Sequence, residues 1–410
     1  HGIVFVKSAG NSGGTPGSPV YGSLTEPAGN YNGIAVANAE FDVLTIAGMP
    51  VNNPYPQHFD VLHATLDPTS SRGPTTDTGG GRAKPDLAAQ GTGNLGAFQM
   101  TGADAFGSFG LDPAYPIEGN RGLYSTQRRS GIGAAVVRSG TSFAAPTVAG
   151  TAALMVELAR RNHDPQREDP RVIKSVLQTT ADKPFISDGA VVDWERGRAD
   201  GHADDSSRIP LSYDWGAGLL DPEQAISLLS HDRHPLGTPV HDDGWALEKI
   251  SPLTSVPEIP GHFGHFFFLD GLVGGSSLTA TLNWYRHVSA TGSPDVVYTP
   301  GPLVNLDLAL YEWDGTALGA LVALSDSLVD NLEHVFIKSL MHSGRYALRV
   351  VGADFAGQEA ETYALSWDIT PVVVPEPGTC VLMILGLGGV VLMRRRVRSC
   401  ASAPRSPREP

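Results

Sequence analysis

The segment Gly140-Thr141-Ser142-Phe143-Ala144-Ala145-Pro146 is followed by small and apolar residues as far as Ala159. This order predicts a glycine-led turn that passes into a helix, with Ser142 at the helix N-terminus. Free backbone N–H groups and the helix dipole favour negative charge there, so the Ser142 hydroxyl is a candidate nucleophile. Pro146 predicts that the helix begins at or just before the proline, because the ring is tolerated only in the first turn. A plain N-cap role for Ser142 is the alternative.

A second segment, near the start of the sequence, supplies a partner for this serine. Ile3-Val4-Phe5-Val6 is an apolar, mostly β-branched run that predicts a buried parallel strand, and it leads into Ser8-Ala9-Gly10-Asn11-Ser12-Gly13. Attack by Ser142 on a peptide carbonyl would create an oxyanion, which the Asn11 amide and a backbone N–H can stabilise. The alternative for Asn11 is a turn asparagine in a left-handed conformation.

Both segments resemble motifs of the subtilisin-like serine peptidases, the subtilases. The order Gly-Thr-Ser-x-Ala-Ala-Pro resembles their nucleophile motif, and the asparagine of their Ala-Gly-Asn-x-Gly motif matches Asn11. The resemblance implies a serine endopeptidase with an acyl-enzyme on Ser142 and Asn11 in the oxyanion hole. It also implies substrate-binding residues at Ala9, Gly10, Gly140 and Thr141. The α/β-hydrolase motif Gly-x-Ser-x-Gly is excluded, because Ala144 stands where that motif needs glycine.

Further landmarks of the family follow in order, but two are missing. Ser70–Pro74, the Lys-Pro-Asp segment from Gly81 to Ala89, and Tyr213–Asp221 all resemble subtilase segments, with Gln90 where the family usually has proline. The family's aspartate and histidine motifs do not occur, and His1 lacks the His-Gly-Thr-His pattern, so it is not assigned as the base. We therefore expect the C-terminal part of a longer protein, with the catalytic Asp and His upstream and no activity in this fragment alone.

Composition limits the classes of function. A chain of 410 residues with 41% hydrophobic residues has room for two or three domains. Its net charge is −14, and six of its 29 basic residues lie at or beyond Arg394, so the body is a poor nucleic-acid binder. The two cysteines, Cys380 and Cys400, both lie near the C-terminus, which excludes a disulfide framework or a cysteine metal site in the body.

The first half of the chain predicts an α/β fold. Gly33–Ala39 reads as a parallel strand, and residues 143–158, apolar or small on all sides, predict a helix buried against a sheet rather than a membrane span. Asp169-Pro170 predicts the start of a second helix whose buried face carries Val172, Ile173, Val176 and Leu177.

Two loops of the first half offer candidate binding groups. Residues 92–139 predict a glycine-rich surface insertion, in which Arg128, Arg129 and Arg138 are better explained as solvated than as selecting acidic substrates. The acidic residues 186–210 make calcium a candidate ligand, but their spacing favours a solvated loop.

The period changes to two after residue 260. Apolar residues alternate in four runs, which predicts an antiparallel β-sandwich: Leu278, Ala280, Leu282 and Trp284; Leu306, Leu308 and Leu310; Tyr346, Leu348 and Val350; Tyr363, Leu365 and Trp367. The segment resembles accessory sandwiches of secreted bacterial peptidases. Substrate binding, matrix binding and structural support all remain open as its role.

The C-terminal segment has three features in order. Val374-Pro375-Glu376-Pro377-Gly378 precedes the apolar run Cys380–Met393, and Arg394-Arg395-Arg396-Val397-Arg398 follows. This order resembles the PEP-CTERM sorting signal, which implies processing by an exosortase and export to the cell surface or matrix. Arginines after the apolar run predict a membrane segment at 379–393 with the C-terminus in the cytoplasm.

Together these observations predict a partial subtilisin-like parallel sheet with flanking helices, then an antiparallel β-sandwich and a C-terminal membrane helix. The predicted domains are a catalytic part at 1–230, a linker at 231–260, the sandwich at 261–370 and the sorting segment at 371–410. The predicted function is a serine endopeptidase acting on proteins or peptides. A non-catalytic cell-surface binding or scaffold protein is the alternative, since a fold can persist without its chemistry.

Overall fold

The computed structural model describes most of residues 2–371. The described ranges are 2–41, 45–46, 49–50, 64–76, 81–92, 94–98, 123–124, 134–183, 186–187, 190–191, 194, 211–240, 243–252, 263–292, 295 and 297–371, with backbone alone for some of the shorter strands. Residues 1–370 form one compact unit, and residues 371–410 form a second unit. The predicted membrane segment and the two cysteines lie outside the described residues.

A mixed sheet forms the centre of the first half. The strands up to residue 90 are β1 (Val6–Ser8), β2 (Gly14–Thr15), β3 (Ser18–Pro19), β4 (Ile34–Phe41), β5 (Thr45–Ile46), β6 (Met49–Pro50), β7 (Ala64–Leu66) and β8 (Leu87–Gln90). Strand β4 pairs in parallel with β1 and with β8, and antiparallel with β7. The carboxyl ends of β1 and β8 therefore meet at one edge of the sheet, where α/β folds place their sites.

The first strand differs from its prediction. It begins at Val6 rather than at Ile3, and it is paired on one side only within the described residues. Ile3 is 85% exposed and Phe5 is 42% exposed, so the apolar run is not the buried strand that its composition predicts. A β-branched run indicates strand geometry, but burial depends on what covers it.

The long helix α1 (Thr141–Arg161) packs against this sheet, but its start differs from the prediction. It begins five residues before Pro146, so the proline lies inside the helix and leaves the Ser142 carbonyl without an i+4 donor. Its burial is one-sided: Ala144, Val148 and Met155 are buried, whereas Leu154 is 52% exposed. The prediction of a helix packed against a sheet is therefore confirmed, with the contact made through one face of the helix.

Two shorter helices complete the helical layer. Helix α2 (Pro170–Thr179) begins after Asp169, whose side chain accepts a hydrogen bond from the Arg171 N–H, and α3 (Pro222–Ser230) begins after Asp221 in the same way, with the Gln224 N–H as donor. The four apolar residues predicted for the buried face of α2 are all fully buried. Both helices have proline at their first position, as the sequence predicts for α2.

Short antiparallel strands occur where the sequence shows no sustained period. They are β9 (Asn94–Phe98), β10 (Leu123–Tyr124), β11 (Ala134–Arg138), β12 (Ile186–Ser187) and β13 (Ala190–Val191). Strand β11 pairs with both β9 and β10, which connects the two ends of the predicted insertion. The candidate side chains of Arg128, Arg129, Arg138 and the acidic loop lie outside the described residues.

The second half contains two four-stranded antiparallel sheets. Their strands are β14 (Gly244–Ile250), β15 (His265–Leu272), β16 (Ser277–Trp284), β19 (Asn305–Trp313), β20 (Leu318–Ser325), β21 (Leu332–Ile337), β22 (Gly344–Asp354) and β23 (Glu361–Thr370). One sheet has the order β14-β23-β16-β21 and the other β15-β22-β19-β20. The alternating residues predicted for the core all belong to one buried cluster. An exposed ribbon of β17 (Val288–Thr291) and β18 (Val297–Pro300) accompanies them.

A polar seam joins α2 to the first of these sheets. The Ser175 hydroxyl lies 2.6 Å from that of Ser366, the Thr179 hydroxyl also lies 2.6 Å from Ser366, and Thr179 donates to Thr281 at 2.8 Å. All four side chains are buried. These hydroxyls satisfy one another, so the helix and the β-rich part share a common interior. The predicted boundaries at 230 and 260 remain predictions.

One described helix, Thr141–Arg161, is long and apolar enough to cross a membrane by length and composition. It is α1, whose buried face contacts the mixed sheet, and the core helix of a soluble fold meets the same criterion.

Candidate functional site

The candidate site forms where the loop after β1 meets the N-terminus of α1. The Gly10 N–H donates to Thr141 Oγ1 at 3.2 Å, across 131 residues of sequence. The Gly10 carbonyl accepts from the Ser71 N–H at 2.9 Å, and the Ser12 N–H donates to Ser71 Oγ at 3.0 Å. The loop carrying Asn11 is therefore held between the turn before α1 and the Ser70–Pro74 segment.

Thr141 fixes the orientation of the Asn11 amide. The Thr141 N–H donates to Asn11 Oδ1 at 3.0 Å, and Thr141 Oγ1 donates to the same oxygen at 2.9 Å. With Oδ1 accepting two hydrogen bonds, the Nδ2 group is the end of the amide left to donate elsewhere. The Asn11 side chain thus presents a donor at the mouth of the turn, as an oxyanion site requires.

Ser142 is the second residue of α1 and is exposed. Among the described residues, no side chain forms a hydrogen bond with its hydroxyl. Its N–H lies in the first turn, where helical N–H groups have no intrahelical acceptor. The Ser142 N–H and Asn11 Nδ2 are therefore two donors at one helix N-terminus.

The turn before the helix depends on Gly140. Its φ is +138°, a conformation that residues with a Cβ rarely adopt. The Gly140 N–H donates to the Gly91 carbonyl at 3.0 Å, and its own carbonyl accepts from the Phe143 N–H at 2.9 Å. The residue after β8 therefore anchors the turn that directs Ser142.

The predicted substrate-binding residues near β1 are engaged within the fold. The Ala9 N–H donates to the Val36 carbonyl and the Ala9 carbonyl accepts from the Thr25 N–H, both at 2.9 Å. Gly10 likewise uses both backbone groups, and Thr141 is fully buried. Substrate contact by Ala9, Gly10, Gly140 and Thr141 remains a prediction.

Buried charges stabilise the sheet beneath the site. Asp86 accepts from Lys84 at 2.5 Å and lies 2.9 Å from the Lys174 ammonium, and all three side chains are buried. Burial alone would raise the pKa of Asp86, but the ammonium groups of Lys174 and Lys84 hold it below its usual value. Burial lowers the pKa of Lys84 to about 7, in spite of the opposing charge of Asp86.

His1 and the acidic loop, which the sequence analysis also considered, add no described side chain to this geometry. His1 lies outside the described residues. In the part of the chain that the structure describes, no group of three or more His, Cys, Asp or Glu residues is arranged to hold a metal ion. Calcium remains a prediction for the acidic loop.

The comparison with protein families decides the classification. The model of the subtilase family matches residues 1–208, about half of the chain. The chain belongs to the subtilase family. The PEP-CTERM protein-sorting motif matches residues 373–398, so the predicted sorting signal is confirmed as well. No curated protein matches the chain.

Solved structures with partial similarity include two maturation proteases and a C-terminal domain of a collagenase. The patellamide maturation protease PatA is 20% identical, with 55% of this chain and 51% of that chain covered and a TM-score of 0.28. The prenylagaramide maturation protease PagA is also 20% identical, with 55% and 50% covered and a TM-score of 0.27. The pre-peptidase C-terminal domain of collagenase from Bacillus anthracis is 15% identical, with 33% and 100% covered and a TM-score of 0.20. The chain spans about half the length of the two maturation proteases.

Sequence reasoning missed a contact of Thr141 and the position of Asn38. Thr141 was predicted to bind substrate, which remains a prediction, but its hydrogen bonds to Asn11 and Gly10 were not predicted. Asn38 was read only as part of a strand, yet it is a fully buried amide beneath the turn. The sequence does contain a pattern that could have identified Asn38. Ile34, Val36 and Asn38 occupy every second position of one strand, so Asn38 is a polar residue on a face that is otherwise apolar.

Proposed function

We propose that this chain carries the nucleophile and the oxyanion site of a serine endopeptidase that cleaves proteins or peptides. The observation that carries the proposal is the pair of hydrogen bonds from Thr141 to Asn11 Oδ1, which leaves Asn11 Nδ2 as a donor beside the Ser142 N–H. Membership of the subtilase family supports peptidase activity.

In the proposed reaction, Ser142 Oγ attacks the scissile carbonyl and the developing oxyanion accepts hydrogen bonds from Asn11 Nδ2 and the Ser142 N–H. The hydroxyl proton passes to a general base and then to the leaving amine, and water later releases the acyl group from Ser142. Donors already aimed at the oxyanion need little reorganisation during the reaction. This preorganisation is usually the largest single contribution to the rate enhancement.

The general base and its aspartate are proposed to come from chain upstream of His1. Among the described residues, the Ser142 hydroxyl has no hydrogen-bonding side chain. The exposed side of α1 carries Phe143 and Leu154, and β1 is paired on one side only within the described residues. Apolar helix surface and an unpaired parallel strand normally lie under further structure, which supports this proposal.

The test uses the full-length gene product with casein as substrate. Ser142→Ala should abolish hydrolysis. Asn11→Ala should lower kcat by about 10²–10³, the range found when a subtilisin loses its equivalent donor. Ser289→Ala, on the exposed ribbon, is the matched control and should leave kcat unchanged.

Two outcomes would contradict the proposal. Hydrolysis that persists in the Ser142→Ala variant would reject the nucleophile, and an inactive full-length protein would favour the non-catalytic scaffold. The 410-residue chain alone should show no turnover, and clear activity there would reject the upstream base.

The sorting motif supports a location for this activity. We propose that residues 379–393 anchor the exported protein in the membrane with the C-terminus in the cytoplasm, and that an exosortase cleaves near Pro375–Pro377. The protein would then reach the cell surface or matrix. Replacing the three residues by alanine should retain a tagged protein in the membrane fraction, and unchanged release would reject the processing step.

A further inference from the structure

A buried amide lies between the sheet and the turn that carries Ser142. Asn38 is fully buried in β4, opposite Ala89 of β8. Its Nδ2 donates to Asp67 Oδ2 at 2.8 Å and to Thr92 Oγ1 at 3.0 Å. Asn38 and Asp67 are also joined by a backbone hydrogen bond, in which the Asp67 N–H donates to the Asn38 carbonyl at 3.0 Å.

Asp67 is held as firmly as the amide that it binds. Its Oδ1 accepts from the Thr69 N–H at 2.8 Å and from Thr69 Oγ1 at 2.7 Å, and its Oδ2 accepts from Asn38 and from Thr92. The Asp67 residue as a whole is only 9% exposed. Charge-assisted bonds of this kind are stronger than neutral ones, so Asp67 fixes the position of the Asn38 side chain.

The other end of the Asn38 amide points at Gly91. Asn38 Oδ1 is buried, and it has no hydrogen-bond partner among the residues that the structure describes. A Cβ on Gly91 would overlap Asn38 Oδ1, and it would also lie 2.6 Å from the Gly140 carbonyl oxygen and 2.9 Å from the Ala144 nitrogen. Gly91 is thus enclosed between Asn38 on one side and the first turn of α1 on the other.

Gly91 in turn holds the nucleophile turn. Its N–H donates to the Ala39 carbonyl at 3.3 Å and its carbonyl accepts from the Gly140 N–H at 3.0 Å. A shift of the Gly91 peptide therefore moves Gly140, two residues before Ser142. An apolar side chain at position 38 would serve the core better, since burying an amide with one unpaired oxygen costs free energy.

We propose that Asn38, clamped by Asp67 and Thr92, is a positioning residue that sets the direction of Ser142 through the Gly91–Gly140 hydrogen bond. This inference rests on the proposed peptidase function. Small displacements of reacting groups lower rate steeply, by about 10² for 1 Å. Asn38→Ala should therefore lower kcat by roughly 10- to 100-fold with KM unchanged.

Asn283→Ala is the matched control. Asn283 in β16 is also a buried amide whose oxygen has no partner among the described residues, and it donates to Gln178 Oε1 of α2 at 2.9 Å. The Asn283→Ala substitution should lower the melting temperature without changing kcat. Thr92→Val is a milder second variant should Asn38→Ala fail to fold, and it should lower kcat in the same direction.

Hydrogen exchange in the 410-residue chain gives a readout that does not require activity. Asn38→Ala should speed exchange of the Gly140 amide, and Asn283→Ala should not. The inference is overturned if kcat of Asn38→Ala equals that of the wild type, or if the control lowers kcat equally. Failure of the proposed function is separate, because it would appear as a wild-type protein that does not hydrolyse casein, and the exchange experiment would still decide whether Asn38 holds the turn.

Discussion

Replacing Asp86 by asparagine should strongly destabilise the first half of the chain. Asp86 is fully buried and contacts two buried ammonium groups, those of Lys84 and Lys174, and it also accepts from the Ala35 N–H at 2.6 Å. Asparagine keeps the shape but removes the negative charge that pairs with both ammonium groups. Breaking a buried ion pair from one side costs about 3–5 kcal/mol, because a buried charge is left unpaired.

The pKa of Lys84 places the expected value at the lower end of that range. Its pKa of about 7 means that Lys84 can lose its proton at neutral pH instead of remaining as an unpaired charge. We expect a loss of about 3 kcal/mol at pH 7 in the free energy of unfolding. With a urea m-value of about 3 kcal/mol/M, the midpoint should fall by about 1 M. Fluorescence of the buried tryptophans follows the transition.

The pH dependence gives a sharper test of the same reasoning. A lysine whose folded pKa is depressed loses stability as pH falls toward that pKa, because the unfolded chain binds more protons. In the wild type, the loss of stability with falling pH ends near pH 7, where folded Lys84 takes up its proton. Asp86→Asn lowers the pKa of Lys84 further, so the variant goes on losing stability below pH 7. The difference between variant and wild type should therefore grow from pH 7 to pH 5. A difference below 1 kcal/mol, or one that shrinks over this range, would refute the reasoning, and Glu157→Gln in an exposed pair is the control without a measurable shift.

Three further variants test other contacts. Thr141→Val removes the hydroxyl that orients the Asn11 amide. It should lower kcat roughly tenfold, which corresponds to the loss of about one hydrogen bond in the transition state. Thr151→Val, later in the same helix, should leave kcat unchanged. Burial and nearby carboxylates raise the pKa of Glu333 well above 4.5, so the wild-type protein becomes less stable as pH rises and this carboxyl ionises. Glu333→Gln should lack this fall in stability. Parallel plots of unfolding free energy against pH for variant and wild type, from pH 5 to 8, would contradict the prediction. Ser366→Ala in the polar seam should cost about 1–2 kcal/mol in urea unfolding and Ser289→Ala nearly nothing, and equal effects would reject the seam as a stabilising contact.

The β-rich half was predicted well from sequence because its signal is local. Residues at every second position, such as Leu278, Leu282 and Leu308, must share one face of a strand, and all of them are in the core. The start of α2 was equally local, since Asp169-Pro170 carries both the cap and the first position.

The first half was predicted less completely because its features depend on neighbours distant in sequence. The motifs identified Ser142 and Asn11, but only the fold shows that Thr141 takes one end of the amide. The exposure of Ile3 follows from what lies beside β1, which no local pattern contains. Asn38 depends on Asp67, Thr92 and the distant turn, so its polar identity alone did not indicate a role.

The most direct test of the central claim is to map the adduct formed by a fluorophosphonate on the full-length gene product. Tandem mass spectrometry should find one phosphonylated residue, Ser142, and the Asn11→Ala variant should be labelled more slowly because the tetrahedral adduct loses a donor. Labelling at a different serine, or labelling that persists in Ser142→Ala, would contradict the account.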